Sequence, residues 1–372
     1  ERAIALAPNS RPLIEALVDW HSKRGEISQA ARWQEALVQQ DTDQERRGFD
    51  THRLLDLLLD GLADAVAAER IIELSPEPAA FIERLVFFHQ SRGEYAAALR
   101  WLERLVESVN DEVSKTAYRH RYIDLALGEA ARPQDAERCV LASNLDPSLT
   151  EKLVAWYLER GEFGSALRWT EQLALAAREA SNNPWIRRMF DLAIGDADDM
   201  PAAQRAIGQS QNPVALIERL VEHLMDNFEF AEALRWYEEL AQNVPRGHVR
   251  DGYIAQMQGV ALDRLDDVHA AERAIELADE KLPLVGTQID YLRAKEQRDS
   301  ALEWMLEQAK LTEDKAPRRP LLADVVEYAL AEPVRFACVE RAIDLTDRPA
   351  PLVQSYIDAL AAHLNGILQE VE

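Results

Sequence analysis

Eight histidines, two cysteines and 66 acidic side chains are the groups in this 372-residue chain that could hold a metal, attack a carbonyl or move a proton. A zinc site needs three or four such ligands converging at short, fixed spacings. The histidines are scattered at positions 21, 52, 89, 120, 223, 248, 269 and 363, with no HExxH pair and no His/Cys cluster. Cys139 and Cys338 stand 199 residues apart in apolar helical segments, where a thiol acts as a small hydrophobe. Gly61, Gly128, Gly195 and Gly259 fall at turns or helix boundaries and form no phosphate-binding loop. The carboxylates do supply one ordered series: Glu15, Glu83, Glu151 and Glu218, spaced 68, 68 and 67 residues apart. A catalytic carboxylate pair must lie within about 5–10 Å, which members so far apart in a repeating array do not meet. The expectation is therefore no catalytic residue, no cofactor and no metal ligand.

The same period governs the elements that carry these residues. Leu-Arg-Trp recurs at 99–101, 167–169 and 234–236, preceded by Ala31-Arg32-Trp33 and followed by Leu302-Glu303-Trp304. A second series interleaves with it: Glu1-Arg2, Glu69-Arg70, Glu137-Arg138, Gln204-Arg205, Glu272-Arg273 and Glu340-Arg341. Such self-similarity over a whole chain is the mark of a solenoid, in which each unit touches only its neighbours. Ala, Leu, Glu and Arg dominate, so helix is favoured nearly throughout. Ala98, Trp101, Leu102 and Leu105 share one helical face by their i, i+3, i+4, i+7 spacing. On that pattern Trp33, Trp101, Trp169, Trp236 and Trp304 read as structural core, with sugar stacking or a peptide-binding ladder as the other reading.

The net charge of -24 argues against a nucleic-acid partner, which would require a basic patch. A cationic partner is the more natural complement, although acidity also serves solubility. Apolar stretches are short and interrupted by charges, so no membrane-inserted helix is expected. The chain opens inside a repeat, which reads as a fragment of a longer protein.

Each 68-residue unit holds two helical hairpins. The last core position of successive second helices falls at Leu37, Ile71, Leu105, Cys139, Leu173, Ala206, Leu240, Ala274, Gln308 and Ala342, a 34-residue step with a single 33 before Ala206. Here the chain resembles the tetratricopeptide repeat (TPR) family. Ala98-Leu102-Leu105, Ala166-Thr170-Leu173 and Ala233-Tyr237-Leu240 follow the family's pattern in the second helix. Gly25, Gly93 and Gly161 fill its turn, where Asn227-Phe228 departs, and Pro8, Pro76 and Pro245 match its closing proline. The usual tryptophan early in the first helix is missing. The resemblance implies an all-α fold, a right-handed superhelical solenoid of antiparallel helix pairs. Ten repeats are expected, at 11–44, 45–78, 79–112, 113–146, 147–180, 181–213, 214–247, 248–281, 282–315 and 316–349. A half-repeat precedes them and a helix from Leu352 to about Gln369 follows. The whole of 1–372 is expected as one continuous superhelix, with local irregularities near 181–185 and 314–320.

In this family the first helices line the concave surface. The resemblance therefore places Glu15, Glu83, Glu151 and Glu218 on that face, with Asp19, Phe87 and Glu222 one turn on. Arg53 and Arg121 come from the intervening repeats, so the groove is mixed in charge. A long, acidic array with a duplicated double repeat looks like the periplasmic TPR region of bacterial exopolysaccharide exporters, most like that of the Pel system. That likeness implies a protein–protein interaction scaffold that holds a polymer-modifying deacetylase or hydrolase and helps guide a cationic polysaccharide to an outer-membrane pore. It also implies a periplasmic location as part of an outer-membrane protein. The alternative is a cytoplasmic TPR adaptor or regulator binding a peptide or partner protein.

Overall fold

A computed structural model describes residues 10–73, 75, 78–178, 183–331 and 334–371, with side chains through Leu364 in the last helix. The described residues contain no strand. Pro8, Pro76, Glu1-Arg2, the leading half-repeat and residues 181–182 lie outside them. Contacts divide the chain into two compact units, Glu1–Ala197 and Asp198–Glu372.

The first unit carries α1 (Arg11–Lys23), α2 (Ile27–Gln40), α3 (Gln44–Asp56), α4 (Ala65–Glu73), α5 (Ala79–Ser91), α6 (Tyr95–Ser108), α7 (Glu112–Leu127), α8 (Pro133–Ala142), α9 (Pro147–Glu159), α10 (Phe163–Ala176) and α11 (Pro184–Ile194). The second carries α12 (Met200–Gln209), α13 (Val214–Asp226), α14 (Phe230–Asn243), α15 (His248–Leu265), α16 (Val268–Leu277), α17 (Leu282–Ala294), α18 (Arg298–Leu311), α19 (Lys315–Leu330), α20 (Phe336–Leu345) and α21 (Pro349–Val371). Within each unit most helices pack on the next in sequence, and several, such as α7 with α9 and α18 with α20, also on the next but one, as in a stacked array. The last helix begins at Pro349, three residues before the expected Leu352.

Two hairpin types alternate, which is why the sequence repeats every 68 residues and not every 34. In α1/α2, α5/α6, α9/α10, α13/α14 and α17/α18 a 13-residue helix is followed by a 14-residue one. The intervening hairpins have second helices of only 9 or 10 residues. The tight reversal in the first type needs a left-handed residue, supplied by Gly25, Gly93 and Gly161 at φ of 74°, 73° and 71°. Phe228 and Glu296 occupy the equivalent positions at φ of 62° and 58°. The motif departs at Phe228 but the backbone does not, because packing of the two helices fixes the turn.

In the second type, α3 continues as a wider π-type turn, Leu57–Gly61. A Cβ on Gly61 would stand 2.6 Å from Ile27 Cγ2, so this approach to α2 requires glycine. Near the second expected irregularity, α19 runs from Lys315 through Pro320 to Leu330. Asp314 caps its start, and Pro320 withholds one N–H from the helical ladder.

Small residues set the helix spacing. Ala30, Ala98, Ala166, Ala233 and Ala301, one per 14-residue helix, are wholly buried. Of the aligned last core positions, Leu37, Ile71, Leu105, Leu173, Ala206, Leu240, Ala274 and Ala342 are buried, while Cys139 and Gln308 are half-buried. Both cysteines are free thiols, and burial pushes Cys139 up to about 11.

Candidate functional site

The exposed sides of the first helices carry the residues singled out from the sequence, and neighbouring first helices pair them. Asp19 on α1 meets Arg53 on α3. Asp56 and Asp60 meet Arg84 on α5, and Arg121 on α7 donates to Gln90 on α5 at 3.1 Å. Lys152 on α9 meets Asp124 on α7, and the Trp156 indole donates to the Leu127 carbonyl at 2.6 Å. This face is a ladder of complementary groups, mixed in sign.

The glutamate series does not behave as one set. Glu15 is drawn into a cluster around Arg11, which bonds it at 2.6 Å while also reaching Asp50 at 2.8 Å and Asp41. It is thereby paired with a base, although one guanidinium shared among three carboxylates leaves the cluster net negative. Glu83 is exposed and accepts from the Tyr118 hydroxyl at 2.6 Å. Glu218 is exposed and accepts from the Tyr253 hydroxyl. A neutral donor orients these carboxylates without neutralising them. The cost falls on the phenols: the bond to Glu218, then burial, pushes Tyr253 up to about 12, and Tyr118 is raised for the same reasons. Glu151 and Glu222 are exposed and without a partner among the described residues. Phe87, 61% exposed, lies one turn beyond Glu83.

The repeat tryptophans divide as well. Trp101 and Trp169 are buried, whereas Trp33, Trp236 and Trp304 are half-buried rather than enclosed core. The two buried tryptophans are those whose indoles meet an acid of the interleaved Glu-Arg series. Glu69, on α4, accepts from the Trp101 indole at 3.0 Å and from Arg100 at 2.8 Å. Glu137, on α8, accepts from the Trp169 indole at 2.9 Å, from Arg168 at 2.6 Å and from Tyr157 at 2.8 Å. The two sequence series are thus one physical device, a carboxylate that clamps the next hairpin's Arg-Trp. At the third copy the acid becomes Gln204, and the buried Trp236 indole N–H has no partner among the described residues. At the fourth, Glu272 turns to His269 at 3.3 Å. For Trp33 the equivalent acid, Glu1, falls outside the described residues.

One series escaped the sequence reading. Trp20, Phe88, Trp156, His223 and Tyr291 hold the same late position in their first helices. Four carry a cation one turn on: Arg24 at 4.5 Å, Arg92 at 5.3 Å, Arg160 at 3.8 Å and Lys295 at 5.3 Å from the respective ring centroids. The signal was present as a 68-residue aromatic period four residues before a basic one. It was hidden because the ring type changes at every step. Just beyond each ring, Glu26 and Glu94 start the second helices without capping them. They bond instead to His21 and His89, each at 2.7 Å, which holds both carboxyls below their usual range.

Among the described residues no group of three His, Cys, Asp or Glu could hold a metal, and no helix is long and apolar enough to cross a membrane. No family model and no curated protein matches the chain. Among solved structures the chain is similar to the P58(IPK) TPR domain, at 12% identity over 87% of this chain and 99% of that one, with a TM-score of 0.23. It is similar to yeast Tom70 at 10% identity, covering 86% and 97% respectively, with a TM-score of 0.23. A third likeness is the C-terminal part of a TPR repeat-containing protein from Cytophaga hutchinsonii, at 12% identity, 78% and 98% coverage, and a TM-score of 0.22.

Proposed function

We propose that this chain is a non-catalytic protein-binding scaffold whose working surface is the exposed side of its first helices. The observation that carries this reading is the pairing of Glu83 with Tyr118 and of Glu218 with Tyr253. Each carboxylate is held in place yet keeps its charge, and Glu151 at the intermediate position is open. A fixed, negative, solvent-facing oxygen costs little to order on binding and favours a cationic surface. In the finer form of the proposal the setting is exopolysaccharide export from the periplasm, as part of an outer-membrane protein. The partner is then a polysaccharide deacetylase or hydrolase, and the face helps to guide a cationic polymer. Continuity of the two units as one superhelix belongs to the same proposal.

The test is binding of a partly deacetylated amino-sugar polymer against its fully acetylated form, at low and at moderate salt. Glu83→Gln, Glu151→Gln and Glu218→Gln together should weaken binding of the deacetylated polymer and flatten its salt dependence. Equal binding of both polymers, or of wild type and variant, removes polymer guiding. A purified periplasmic deacetylase retained by wild type and not by the triple variant supports the scaffold role. The exposed Phe87 favours a second reading, a cytoplasmic adaptor that seats an apolar peptide side chain beside Glu83. In that case Phe87→Ala impairs peptide binding more than Glu83→Gln does.

A further inference from the structure

Around α1, Asp19 meets Arg53 of α3, and Arg11 holds both Glu15 and Asp50. Four 68-residue units further on, the same places hold different chemistry. A shift of 271 residues carries the buried Leu54 and Leu55 onto the buried Val325 and Val326. The same shift carries Glu15 to Gly286, Asp19 to Asp290, Asp50 to Leu321 and Arg53 to Asp324. A pair of opposite charges has become a pair of like charges. Asp290 and Asp324 are exposed and have no partner among the described residues. The intervening copies of this pair are Phe87 and Arg121, Ala155 and Arg188, and Glu222 and Gln256, so only the fifth joins two acids.

At this copy a cavity of 190 Å³ opens between α17, α18 and α19. Gly286 bares the α17 backbone, and a Cβ there would meet only Gln308 Nε2, 3.8 Å away. Gln308 stands where the other 14-residue helices bury Leu37, Leu105, Leu173 and Leu240. Its amide lines the cavity and has no partner among the described residues. Ile289, Met305 and Leu321 supply apolar lining. The one base in the wall, Arg293, is engaged: it donates to the Met305 sulfur at 3.1 Å and lies 4.8 Å from the Tyr328 ring centroid. Glycine inside a helix and two unmatched carboxylates on one cavity both work against stability.

We propose that this cavity seats a lysine side chain of a partner protein. An ammonium has three N–H donors, and Asp290, Asp324 and the Gln308 carbonyl are three acceptors. The methylene stem lies along Ile289, Met305 and Leu321. Sites for drug-sized ligands start at about 300 Å³, so this one admits a single side chain. An amino-sugar ring carries hydroxyls on most of its carbons, for which the apolar lining offers no partner. The inference rests on the first-helix face being a protein-binding surface, and adds to it a specificity pocket apart from Glu83, Glu151 and Glu218.

Met305 lines the cavity, so the NMR signal of its methyl group in the full chain, assigned by Met305→Leu, reports occupancy. The probe is Nα-acetyl-lysine methylamide, titrated through the millimolar range at low salt. It should shift the Met305 signal saturably, and its Nε-acetylated form should not. Asp290→Asn with Asp324→Asn should weaken binding about tenfold or more. Asp324→Arg, which restores the Asp19–Arg53 arrangement, should abolish it with the free-state methionine spectrum otherwise retained. The triple variant Glu83→Gln, Glu151→Gln and Glu218→Gln should bind the probe as wild type does, which separates this site from the charge of the rest of the face. The proposal is overturned by a Met305 signal that the probe leaves unmoved, by an equal response to the acetylated form, or by binding that survives Asp324→Arg. Loss of the response in the triple variant overturns it as well, and a shift with glucosamine but not with the lysine derivative makes the polymer the occupant instead. Failure of the polymer and deacetylase tests with the Met305 response intact would remove the export setting and leave this pocket standing.

Discussion

The clamp between an acid and the next hairpin's tryptophan makes a reciprocal test possible, because the third copy has lost its acid. Trp236 and Gln204 are separated by 32 residues, as are Trp101 from Glu69 and Trp169 from Glu137. A buried donor without a partner costs about 1–3 kcal/mol. Glutamine retains a carbonyl oxygen, so replacing it by glutamate adds the charge-assisted part of the bond, for which the upper range is about 1.5–3 kcal/mol. The equivalent Glu69 and Glu137 side chains are 25% and 22% exposed, and solvent reduces the gain accordingly. Gln204→Glu should therefore stabilise the α12–α14 region by about 1 kcal/mol. Glu137→Gln should destabilise α8–α10 by about 1–2 kcal/mol, because Trp169, Arg168 and Tyr157 all converge on one Glu137 oxygen. Repeat arrays need not unfold in one step, so the assay is segment-resolved hydrogen exchange alongside urea unfolding. Protection in α14 should rise about fivefold on Gln204→Glu, and that in α10 should fall by at least as much on Glu137→Gln. If Gln204→Glu leaves α14 unchanged or lowers its protection, the carboxylate is not what the tryptophan period exists to meet.

Two further outcomes follow from the geometry. Phe228 and Glu296 sit at left-handed φ where the other copies have glycine; relief of about 1–2 kcal/mol of strain, partly offset by glycine's extra unfolded-state freedom, gives Phe228→Gly and Glu296→Gly a net gain of about 0.5–1 kcal/mol each in thermal or urea unfolding. Unchanged or lowered stability in both would refute the strain assignment. Tyr253 is held at about 12 by its bond to Glu218, against an ordinary 10.0, so its contribution is fully present below pH 10 and is lost as pH rises towards 12. Glu218→Gln should return the phenol towards its ordinary value, read by absorbance at alkaline pH, and a titration unmoved by the substitution would show that the hydrogen bond is absent in solution.

The helix-pair fold was legible because its causes are local and periodic. Buried alanines at one per second helix, apolar residues at i, i+3 and i+4, and glycines at the reversal each act within a single hairpin. The alternation of two hairpin types was visible only as a doubled period, and the shorter α4 and α8 that distinguish the second type emerge in the structure. The two Glu-Arg and Arg-Trp series were both seen, yet their union was not. The contact joins residues 32 apart across a hairpin interface, and nothing in one helix announces a partner in the next. For the same reason Glu15 looked equivalent to Glu83. The difference is made by Arg11, Asp41 and Asp50, which lie on three separate elements.

Charge shows the same limit in a form that bears on function. Seven aspartates, Asp43, Asp64, Asp111, Asp146, Asp199, Asp267 and Asp314, accept backbone N–H groups at the starts of helices. A helix start is itself electropositive, so such a carboxylate needs no cation opposite it. In an array built from many short helices, part of the negative charge, seven aspartates here, then belongs to helix starts, whatever the protein binds. On the first-helix face, by contrast, Asp19, Asp56, Asp60 and Asp124 are matched by Arg53, Arg84 and Lys152. The excess of 24 acids is therefore not a measure of how strongly this face attracts a cation. What does measure it is the carboxylates of that face that neither cap nor pair with a base, among them Glu83, Glu151, Glu218, Glu222 and Asp290. If a cationic partner binds there, its salt dependence should reflect these few groups and not the net charge of the chain.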